Sequence, residues 1–592
     1  MPQILRINMS DMTTKYEEFP EKYKKLGGRA LTSTIVFDEV PPTCEPLGSF
    51  NKVVIAPGIV TGTNAPSSGR LSVGGKSPLT GGIKEANAGG LTAQKLAKLG
   101  LKAVVLEGQP ISREKWFNVV IKKGSAEIVE ANEFAGMGLY DLIGKVWGKF
   151  PNKPGIIGCG IAGQKLMRSA GVFGNNVENN DPGRYAGRGG LGAVIGSKRV
   201  IAIITDDTDG ERPPPVNKDM FDEGREKLVA ALNEHAVTGV LEKDGKPYGG
   251  LKNFGTNVLQ NIINEAGALP TRNWREGRFE GAAKISGEAT HELVDKVKAK
   301  FPDSPAQYAH ACHPGCIMKC SNVVPYEDTG ELQVSPLEYE TAWALGTNCG
   351  IDSHYHVSEL NRICNDLGLD TIEAGNTIGV AMEAGILKFG DGPGAVDFLK
   401  KVGTDSPMGN LIGLGALGLG QAFGVTHVAH VKGQSLPAYD PRPIRGIGVT
   451  YATGTQGGDH TQGYTIAPEI LQVGGAPDRM DINKAELSRA FQATTAFIDS
   501  TGYCLFIAFA ILDIASGSEG MIQSIHGFLG DTSIDAVAYG MEVLKKEREF
   551  NKKAGFTKLD DRLPEFFKTE PLPPHNVVFE VTDEELDKVF ES

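Results

Sequence analysis

Apolar residues in the first two hundred positions fall into short runs, and glycine-rich turns separate these runs. This pattern is typical of β-strands. The predicted strands are Gln3–Asn8, Lys52–Ala56, Ala103–Glu107, Trp116–Lys122, Gly155–Ile157 and Ile201–Ile204. Three consecutive prolines end the segment Gly210–Pro215. Since proline cannot join a sheet ladder or lie inside a helix, we place a domain boundary there.

Beyond this linker, apolar residues recur at helical intervals, which predicts mainly helical structure. The predicted helices are Asn217–Asn233, Asn257–Glu265, His291–Lys300, Glu338–Leu345, Val357–Asp366 and Thr371–Lys388. A second boundary is placed near Thr426–Gln434, because the glycine-rich segment Gly413–Gly424 precedes the β-like run Val425–Val431. The predicted fold class is α+β, with a β-rich domain over 1–209 followed by two mainly α-helical domains over 210–428 and 429–592.

The composition of the 592-residue chain narrows the range of partners and compartments. A formal net charge of −12, without a long basic run, argues against nucleic acid or an anionic membrane surface as a partner. The N-terminal segment lacks the pattern of a signal peptide, and the longest apolar run, Cys504–Leu512, is too short to span a bilayer. Four of the eight cysteines are scattered, so a reducing compartment, the cytoplasm, is expected.

Three cysteines at four-residue intervals, Cys312, Cys316 and Cys320, surround a Pro-Gly pair. Thiolates this close suit an iron–sulfur cluster or zinc, and both usually take a fourth ligand. The best candidate for the fourth ligand is Cys504, because a glycine two residues before it frees the backbone. The alternative is three buried free thiols on one face of a helix, which the Pro-Gly pair disfavours.

Two glycine clusters of the β-rich domain each contain arginine. The first is Ala56–Arg70 with its continuation Lys76–Gly90, and the second is Gly183–Gly192. Bare backbone N–H groups beside a guanidinium are a common way to hold phosphate, so the pattern favours a phosphate-bearing cofactor. Tight turns in a β-rich domain are the alternative.

Several polar residues lie in apolar or glycine-rich surroundings. Glu340 begins an apolar helical run, where burial would raise the pKa of its carboxyl towards a value useful to an acid or base; the alternative is a solvated first turn. His460 lies in a loop between glycines, a setting more typical of a site than of a core. The segments Asn365–Asp370 and Asp499–Cys504 share a pattern that could present side chains to two halves of a pseudo-symmetric ligand, or could be a helix C-cap glycine followed by a turn.

Together these features resemble the aldehyde:ferredoxin oxidoreductase family of tungsten enzymes, and the likeness runs nearly from end to end. The motifs that carry it are Thr61–Arg70, Lys76–Gly81, Ala186–Lys198, Glu338–Gly346, Leu367–Asp370, Leu436–Arg442 and the segment from Asp499 through Cys504 to Phe506. The resemblance implies tungsten held by two pterin dithiolenes (tungstopterin), Mg²⁺ bridging the pterin phosphates and a nearby [4Fe–4S] cluster. It also implies that this cofactor lies at the interface of the three domains.

The resemblance implies roles for individual residues. Contacts to the pterin phosphates and magnesium fall on Arg70, Asn87, Gly89, Arg184, Tyr185 and Gly187, those of Tyr185 and the glycines through the backbone. Pterin-binding positions of the later domains match Asn365, Asp370, Gln462 and Leu505. The cluster ligands would be Cys312, Cys316, Cys320 and Cys504. His460 would hydrogen-bond the substrate carbonyl oxygen, while Glu340 would act as base for the attacking water.

The implied activity is oxidation of aldehydes to carboxylic acids. Electrons would leave singly through the cluster to ferredoxin or an iron–sulfur partner subunit, in a homodimer or a hetero-oligomer. The alternative is the tungsten-bearing subunit of a larger complex, such as an aromatic acyl-CoA reductase. Two other classes are less favoured. The cysteine spacing and Cys504 argue against a radical-SAM enzyme. A non-catalytic zinc-stapled scaffold would show zinc and no visible absorbance.

The sequence departs from the family pattern in three places. Cys312 and Cys316 are separated by three residues, where the family archetypes have two, which indicates a different branch. Asn365 stands where aspartate is usual, so one pterin contact loses its charge but keeps an acceptor. The segment Glu359–Arg362 replaces a Glu-x-x-His element that holds a metal at the dimer axis of some members, so no bridging iron is expected.

Overall fold

The computed structural model describes residues 2–178, 181–239, 242–243, 246–247 and 250–590, and its N-terminal part contains two six-stranded sheets. The first sheet consists of β1 (Gln3–Asn8), β2 (Thr13–Glu18), β3 (Val53–Pro57), β4 (Leu71–Lys76), β5 (Ile83–Ala88) and β6 (Leu101–Glu107). The second consists of β7 (Phe117–Lys122), β8 (Ser125–Glu130), β9 (Gly155–Cys159), β10 (Val172–Gly174), β11 (Arg184–Ala186) and β12 (Val200–Thr205). Their strand orders are β2-β1-β6-β3-β4-β5 and β11-β10-β9-β12-β7-β8. Five helices accompany these sheets: α1 (Gly28–Glu39), α2 (Thr92–Lys98), α3 (Leu139–Trp147), α4 (Ile161–Gln164) and α5 (Leu191–Ser197).

The rest of the described chain is mainly helical. Its helices are α6 (Lys218–Glu234), α7 (Leu251–Phe254), α8 (Leu259–Glu265), α9 (Gly287–Lys300), α10 (Tyr339–Leu345), α11 (His354–Leu367), α12 (Thr371–Glu383), α13 (Gly392–Leu399), α14 (Pro407–Gly413), α15 (Gly415–Phe423), α16 (Arg445–Thr453), α17 (Ile466–Glu469), α18 (Ala485–Thr501), α19 (Ala508–Asp513), α20 (Ala515–Leu529), α21 (Ala536–Lys553), α22 (Phe566–Thr569) and α23 (Asp583–Asp587). Small sheets are formed by β13 (Glu242–Lys243) with β14 (Lys246–Pro247), by β15 (Gln307–His310), β16 (Ser321–Pro325) and β17 (Leu332–Val334), and by β18 (His430–Val431) with β19 (Gln434–Ser435). The prediction of a β-rich N-terminal region followed by a mainly helical region is confirmed.

All six predicted strands are present, and their ends differ from the prediction by at most two residues. Six strands of these sheets were not predicted: β2, β4, β5, β8, β10 and β11. Polar residues interrupt the apolar pattern of β4 and β5, and β4 also contains two glycines. Close packing explains the glycine at position 74: a Cβ there would lie 2.6 Å from the Cβ of Thr32 on α1. Helix α1 can therefore approach the sheet closely only where β4 carries no side chain.

Helix ends follow local capping chemistry. Helix α6 begins after Asn217, whose side chain accepts a hydrogen bond from the backbone N–H of Met220. The predicted helix Thr371–Lys388 is too long, because α12 ends at Glu383 and Gly385 takes a φ of +73°. The segment Gly413–Gly424, interpreted from the sequence as a glycine-rich boundary, is mostly helix α15.

An apolar core joins the middle of the chain to its C-terminal part. Trp274 packs edge-on against Trp343 of α10 at 5.6 Å between ring centres and against Phe567 of α22 at 5.5 Å. Both indoles are satisfied: Trp274 Nε1 donates to Asn376 at 3.0 Å and Trp343 Nε1 donates to the Pro270 carbonyl at 2.8 Å. This shared core fixes α10 relative to the C-terminal elements.

The C-terminal part also packs closely against the β-rich part. A Cβ at Gly58 would lie 2.1 Å from the Cα of Gly502, so both backbones need glycine at this crossing. On α1, Arg29 donates two hydrogen bonds to Glu547 of α21, at 2.9 and 2.8 Å, and both side chains are buried. The glycine crossing holds the loop after α18 beside the first sheet, and the Arg29–Glu547 pair holds α21 beside α1. Within the described ranges, no helix is both long and apolar enough to cross a membrane.

Candidate active site and cluster-binding loop

Two adjoining cavities lie where the β-rich part meets the helical elements. The larger, of about 350 Å³, and the smaller, of about 190 Å³, share wall residues that include Arg70, Tyr185 and His460. Of the site residues predicted from the sequence, the larger cavity is lined by Arg70, Gly89, Arg184, Tyr185, Gly187, Cys312, Cys320, Glu340, Asn365, Asp370, His460, Cys504 and Leu505. Asn87 and Gln462 line the smaller one. Cys316 lines neither cavity, and its Sγ lies within 4.8 Å of Cys312 Sγ.

The cysteine segment is an irregular loop tied to the β-rich part. No helix forms between positions 311 and 320, so the helical arrangement of free thiols is wrong. Ser67 makes the connection through its backbone. Its N–H donates to the Gly315 carbonyl at 2.9 Å, and its carbonyl accepts from the N–H of Cys504 at 2.8 Å. One residue thereby joins the cysteine loop to the distant Cys504, and all four of these cysteines are buried.

The backbone around Cys312 and Cys316 is equally constrained. Gly90 N–H donates to the Cys312 carbonyl at 2.8 Å, and a Cβ at Gly89 would lie 2.8 Å from the same oxygen. The N–H of Lys319 donates to Cys316 Sγ at 3.4 Å, while the neighbouring Cys312 and burial raise the pKa of the Cys316 thiol well above its usual value. Four buried thiols from two segments are a donor set that suits a [4Fe–4S] cluster.

Several polar side chains that line the cavities are only partly satisfied by protein partners. Arg70 Nε donates to Asn87 Oδ1 at 2.6 Å, and Arg184 Nη1 donates to Ser321 Oγ at 2.9 Å. In the described structure, Asn87 Nδ2, Arg184 Nη2 and Asn365 Nδ2 are buried and make no hydrogen bond. Buried donors without acceptors are costly, so these atoms suit a ligand rich in phosphate or ring-nitrogen acceptors.

The two segments with a shared sequence pattern also share a structure. Helices α11 and α18 both end at a left-handed glycine, Gly368 with φ +80° and Gly502 with φ +93°. The C-cap interpretation therefore holds for both, and the residue two positions later, Asp370 or Cys504, lines the larger cavity. Asp370 also caps α12, with Oδ1 accepting from the N–H of Ile372 at 2.9 Å.

Glu340 and His460 meet inside the larger cavity. Glu340 Oε1 lies 3.2 Å from His460 Nε2, and Glu340 Oε2 accepts from the Ala438 N–H at 3.0 Å. The side chains are only 17% and 13% exposed, so the interpretation of Glu340 as part of a solvated turn is wrong. Burial raises the pKa of Glu340 to about 8, and burial lowers the pKa of His460 to about 4.

Aromatic rings surround this pair. The rings of Tyr439 and Tyr464 lie 5.7 and 6.0 Å from the imidazole of His460, and their hydroxyls are hydrogen-bonded to each other at 2.9 Å. Tyr339 packs against Tyr439 at 5.5 Å between ring centres, and the half-buried Phe506 lines the same cavity. The Glu340–His460 pair therefore has aromatic rings as neighbours in this part of the wall.

Charged residues that the sequence analysis did not single out also reach the site. Arg188 lines both cavities, with Nε 3.4 Å from Asp370 Oδ2 and Nη1 3.5 Å from Asp459 Oδ2. Lys84 Nζ lies 3.4 Å from the same Asp459 oxygen. Two signals could have found them: Arg188 is part of a glycine cluster noted for phosphate binding, and Asp459 directly precedes His460.

Comparisons with known proteins identify the family of this chain. The aldehyde ferredoxin oxidoreductase N-terminal domain matches residues 4–207, and domains 2 and 3 of that family match residues 234–592. The tungsten-containing aldehyde ferredoxin oxidoreductases of Pyrococcus furiosus and Thermococcus kodakarensis are 35% and 36% identical to this chain. Each of these alignments covers 96% of this chain and 92% of the relative.

A solved structure shares the fold. It is the active site complex BamBC of benzoyl coenzyme A reductase in complex with 1,5 dienoyl-CoA, with a TM-score of 0.78 and 16% identity over 99% of this chain and 92% of that chain. The resemblance drawn from the sequence motifs is confirmed by the family models and by the two tungsten-containing relatives. The chain belongs to the aldehyde ferredoxin oxidoreductase family and is an oxidoreductase.

Proposed function

We propose that this chain oxidises aldehydes to carboxylic acids at a tungsten bis-pterin centre. The observation that carries the proposal is the buried Glu340–His460 pair, 3.2 Å apart in a cavity that is also lined by Cys312, Cys320 and Cys504. A proton-transfer pair and a set of thiols on one cavity wall suit a reaction that moves protons and electrons together. The reaction takes up one water and releases two electrons and two protons for each aldehyde.

The residues present fit the cofactors that the family implies. The unpartnered donors of Asn87, Arg184 and Asn365 suit the pterins and their phosphates, and the backbone of Tyr185 would contribute to the Mg²⁺ site. Cys312, Cys316, Cys320 and Cys504 would hold the [4Fe–4S] cluster. When bound, the tungsten centre accepts the electron pair from the substrate and the cluster passes the electrons on singly.

Within this site we assign Glu340 as the base and His460 as the hydrogen-bond donor. Glu340 Oε1, which has no hydrogen-bond donor in the described structure, would take the proton of the attacking water. A carboxyl with a pKa near 8 is suited to hold and release a proton near neutral pH. His460 Nε2 would donate to the carbonyl oxygen as negative charge develops there.

The wall beside this pair favours an uncharged, apolar aldehyde. Tyr439, Tyr464 and Phe506 provide aromatic surface next to His460. The arginines of the cavity have other roles in this proposal: Arg70 and Arg184 face the pterin phosphates, and Arg188 faces the carboxylates of Asp370 and Asp459. A phosphorylated aldehyde would have to compete with the pterin phosphates for the guanidinium groups of Arg70 and Arg184.

Electrons would leave through the cysteine loop. Gly315 and Lys319 of this loop are exposed, although the three cysteines beside them are buried. The cluster would thus lie just beneath the surface, as transfer to a separate carrier requires. Ferredoxin or an iron–sulfur subunit of a hetero-oligomer would fit this role, with the cytoplasm as the compartment.

The test is an assay of protein purified without oxygen. We expect aldehyde-dependent reduction of a viologen dye by the purified chain, and at least about a hundredfold lower turnover in His460→Asn with unchanged metal content. Glu359→Gln, on α11 outside the cavity and bonded to Tyr326, is the matched control and should retain activity. Reduction of an aromatic acyl-CoA ester with a co-purified subunit, without aldehyde oxidation, would overturn the proposal in favour of the alternative.

A further inference from the structure

The roles proposed for Glu340 and His460 require a proton on His460, which binds it less tightly than Glu340 does. With a pKa of about 8 on Glu340 and about 4 on His460, the proton that the pair shares rests on Glu340 at neutral pH. A base must be ionised and a strong donor must be protonated, so this proton has to pass to His460 during turnover. Some other group must stabilise the imidazolium that then forms.

Asp459 is placed to stabilise the imidazolium of His460. It lies on the far side of the imidazole from Glu340, with Oδ1 3.6 Å from His460 Nδ1. The same oxygen is held in place by the N–H and the hydroxyl of Thr461, at 3.0 and 2.9 Å. His460 Nδ1 is buried and has no hydrogen-bond partner in the described structure. A small rotation of the ring would bring Nδ1–H into hydrogen-bond distance of Asp459, as often happens when a catalytic site closes on its substrate.

The surroundings of Asp459 keep its carboxyl ionised. Its Oδ2 faces Lys84 Nζ at 3.4 Å and Arg188 Nη1 at 3.5 Å, and the residue is only 3% exposed. Burial alone would raise the pKa of Asp459, but Arg188 and Lys84 hold it well below its usual range. Arg188 also donates to the carbonyls of Gly458 and Ser435, which anchors the loop that carries Asp459 and His460.

We propose that Asp459 is a positioning residue that fixes the proton of His460 on Nδ1 and stabilises the imidazolium formed when the shared proton passes from Glu340 to His460. The inference rests on the proposed function. The carboxylate lies next to the imidazole and on the opposite side of it from Glu340, so its charge favours the protonated imidazole more than it opposes the ionised Glu340. The imidazole of His460 thus lies between two carboxyl groups: Glu340 exchanges a proton with it, and Asp459 stabilises its protonated form.

Other charged or titratable groups face these three residues and are unchanged in the test. Asp370 lies at the start of α12, Asp499 on α18 and Glu85 on β5, and each exerts an electrostatic effect on a member of this network. The tyrosines at positions 339, 439, 451 and 464 are buried, which raises the pKa of each above its usual value and keeps it neutral in the assay range. Burial raises the pKa of Asp499 to about 6 and that of Glu85 to about 8, so both carboxyls also titrate in the assay range. The pH profile of turnover is therefore paired with a measurement that observes Glu340 itself.

The test compares Asp459→Asn with Lys84→Met across pH. Asparagine keeps the acceptor for Thr461 but loses the negative charge, so the turnover maximum should fall at least about tenfold. The pH profile of kcat should move down by about one pH unit, since removing a nearby negative charge weakens proton binding by the pair. Methionine at position 84 keeps the stem that packs under Gly189 but loses the positive charge, so its profile should move up.

A second measurement does not depend on turnover. The infrared band of the protonated Glu340 carboxyl, identified by its loss in Glu340→Gln, should titrate at a lower pH in Asp459→Asn and at a higher pH in Lys84→Met. Metal content and thermal unfolding show whether each variant is folded and loaded. A lower turnover in Asp459→Asn with both pH midpoints unmoved would overturn the inference, as would near-normal turnover. A wild-type protein without aldehyde turnover would instead overturn the proposed function, and the inference with it.

Discussion

Replacing Glu340 by glutamine should make the protein more stable at alkaline pH while abolishing its activity. Glutamine has nearly the same shape, and its side-chain oxygen can still accept from the Ala438 N–H, as Glu340 Oε2 does at 3.0 Å. What it lacks is the ionisable group. In the proposed mechanism that group takes the proton of the attacking water, so turnover should fall by about a hundredfold or more.

The size of the stability effect follows from the pKa of Glu340. Burial raises it from 4.5 to about 8, so the folded protein binds more protons than the unfolded chain between these values. The free energy of unfolding of the wild type should therefore fall, relative to the variant, as pH rises from about 4.5 to about 8. At about 1.36 kcal/mol for each pH unit, the full difference is about 5 kcal/mol. Because 17% of the Glu340 side chain is exposed, this figure is an upper bound.

Two measurements check this prediction on cofactor-loaded protein. Apparent Tm should be the same for wild type and Glu340→Gln near pH 5, and the variant should be higher near pH 9. Aldehyde-dependent dye reduction should be lost in the variant with unchanged tungsten and iron. A Tm difference that does not vary with pH would refute the burial of an ionisable carboxyl, and turnover within tenfold of wild type would refute its role as base.

Three further predictions concern the cysteine loop and the packing between the parts of the chain. Cys504→Ser should lower iron to below about four per chain while tungsten is retained, as metal analysis would show; full iron would exclude Cys504 as a ligand. Gly69→Ala should also lower iron, because its Cβ would lie 2.4 Å from the imidazole of His313 within the loop, and unchanged iron would show that the loop can move. Arg29→Met leaves Glu547 buried without its cation and should cost about 3–5 kcal/mol, seen as a lower Tm; adding Glu547→Gln should restore much of the loss, and no restoration would contradict the pairing.

Sequence patterns predicted the strands whose apolar residues form a continuous run. They failed for β4, where Gly74 admits α1 and Gly75 admits the backbone of Lys52. They also failed for β5, where Lys84 and Glu85 are buried by contacts distant in the chain. The end of α12 was missed for a different reason: a left-handed glycine at position 385 stopped a helix whose apolar pattern continues to Lys388.

The parts of the candidate site whose residues are close in sequence could be predicted, and the parts whose residues are distant could not. The cysteine trio and the glycine clusters were visible because their members are close in sequence. The partnership of Glu340 with His460 came from the family likeness, since the two residues are far apart in the chain. The ion pair of Lys84 with Asp459, separated by 375 positions, had no sequence signal that could join its members, and only the fold brings them together.

Metal analysis of protein purified without oxygen tests the central claim most directly. Iron, tungsten, molybdenum and zinc would be counted for each chain. We predict about four irons and about one tungsten, which correspond to one [4Fe–4S] cluster and one bis-pterin centre. Zinc alone, or iron without tungsten or molybdenum, would contradict the account, because the cavity would then hold no centre able to take two electrons from an aldehyde.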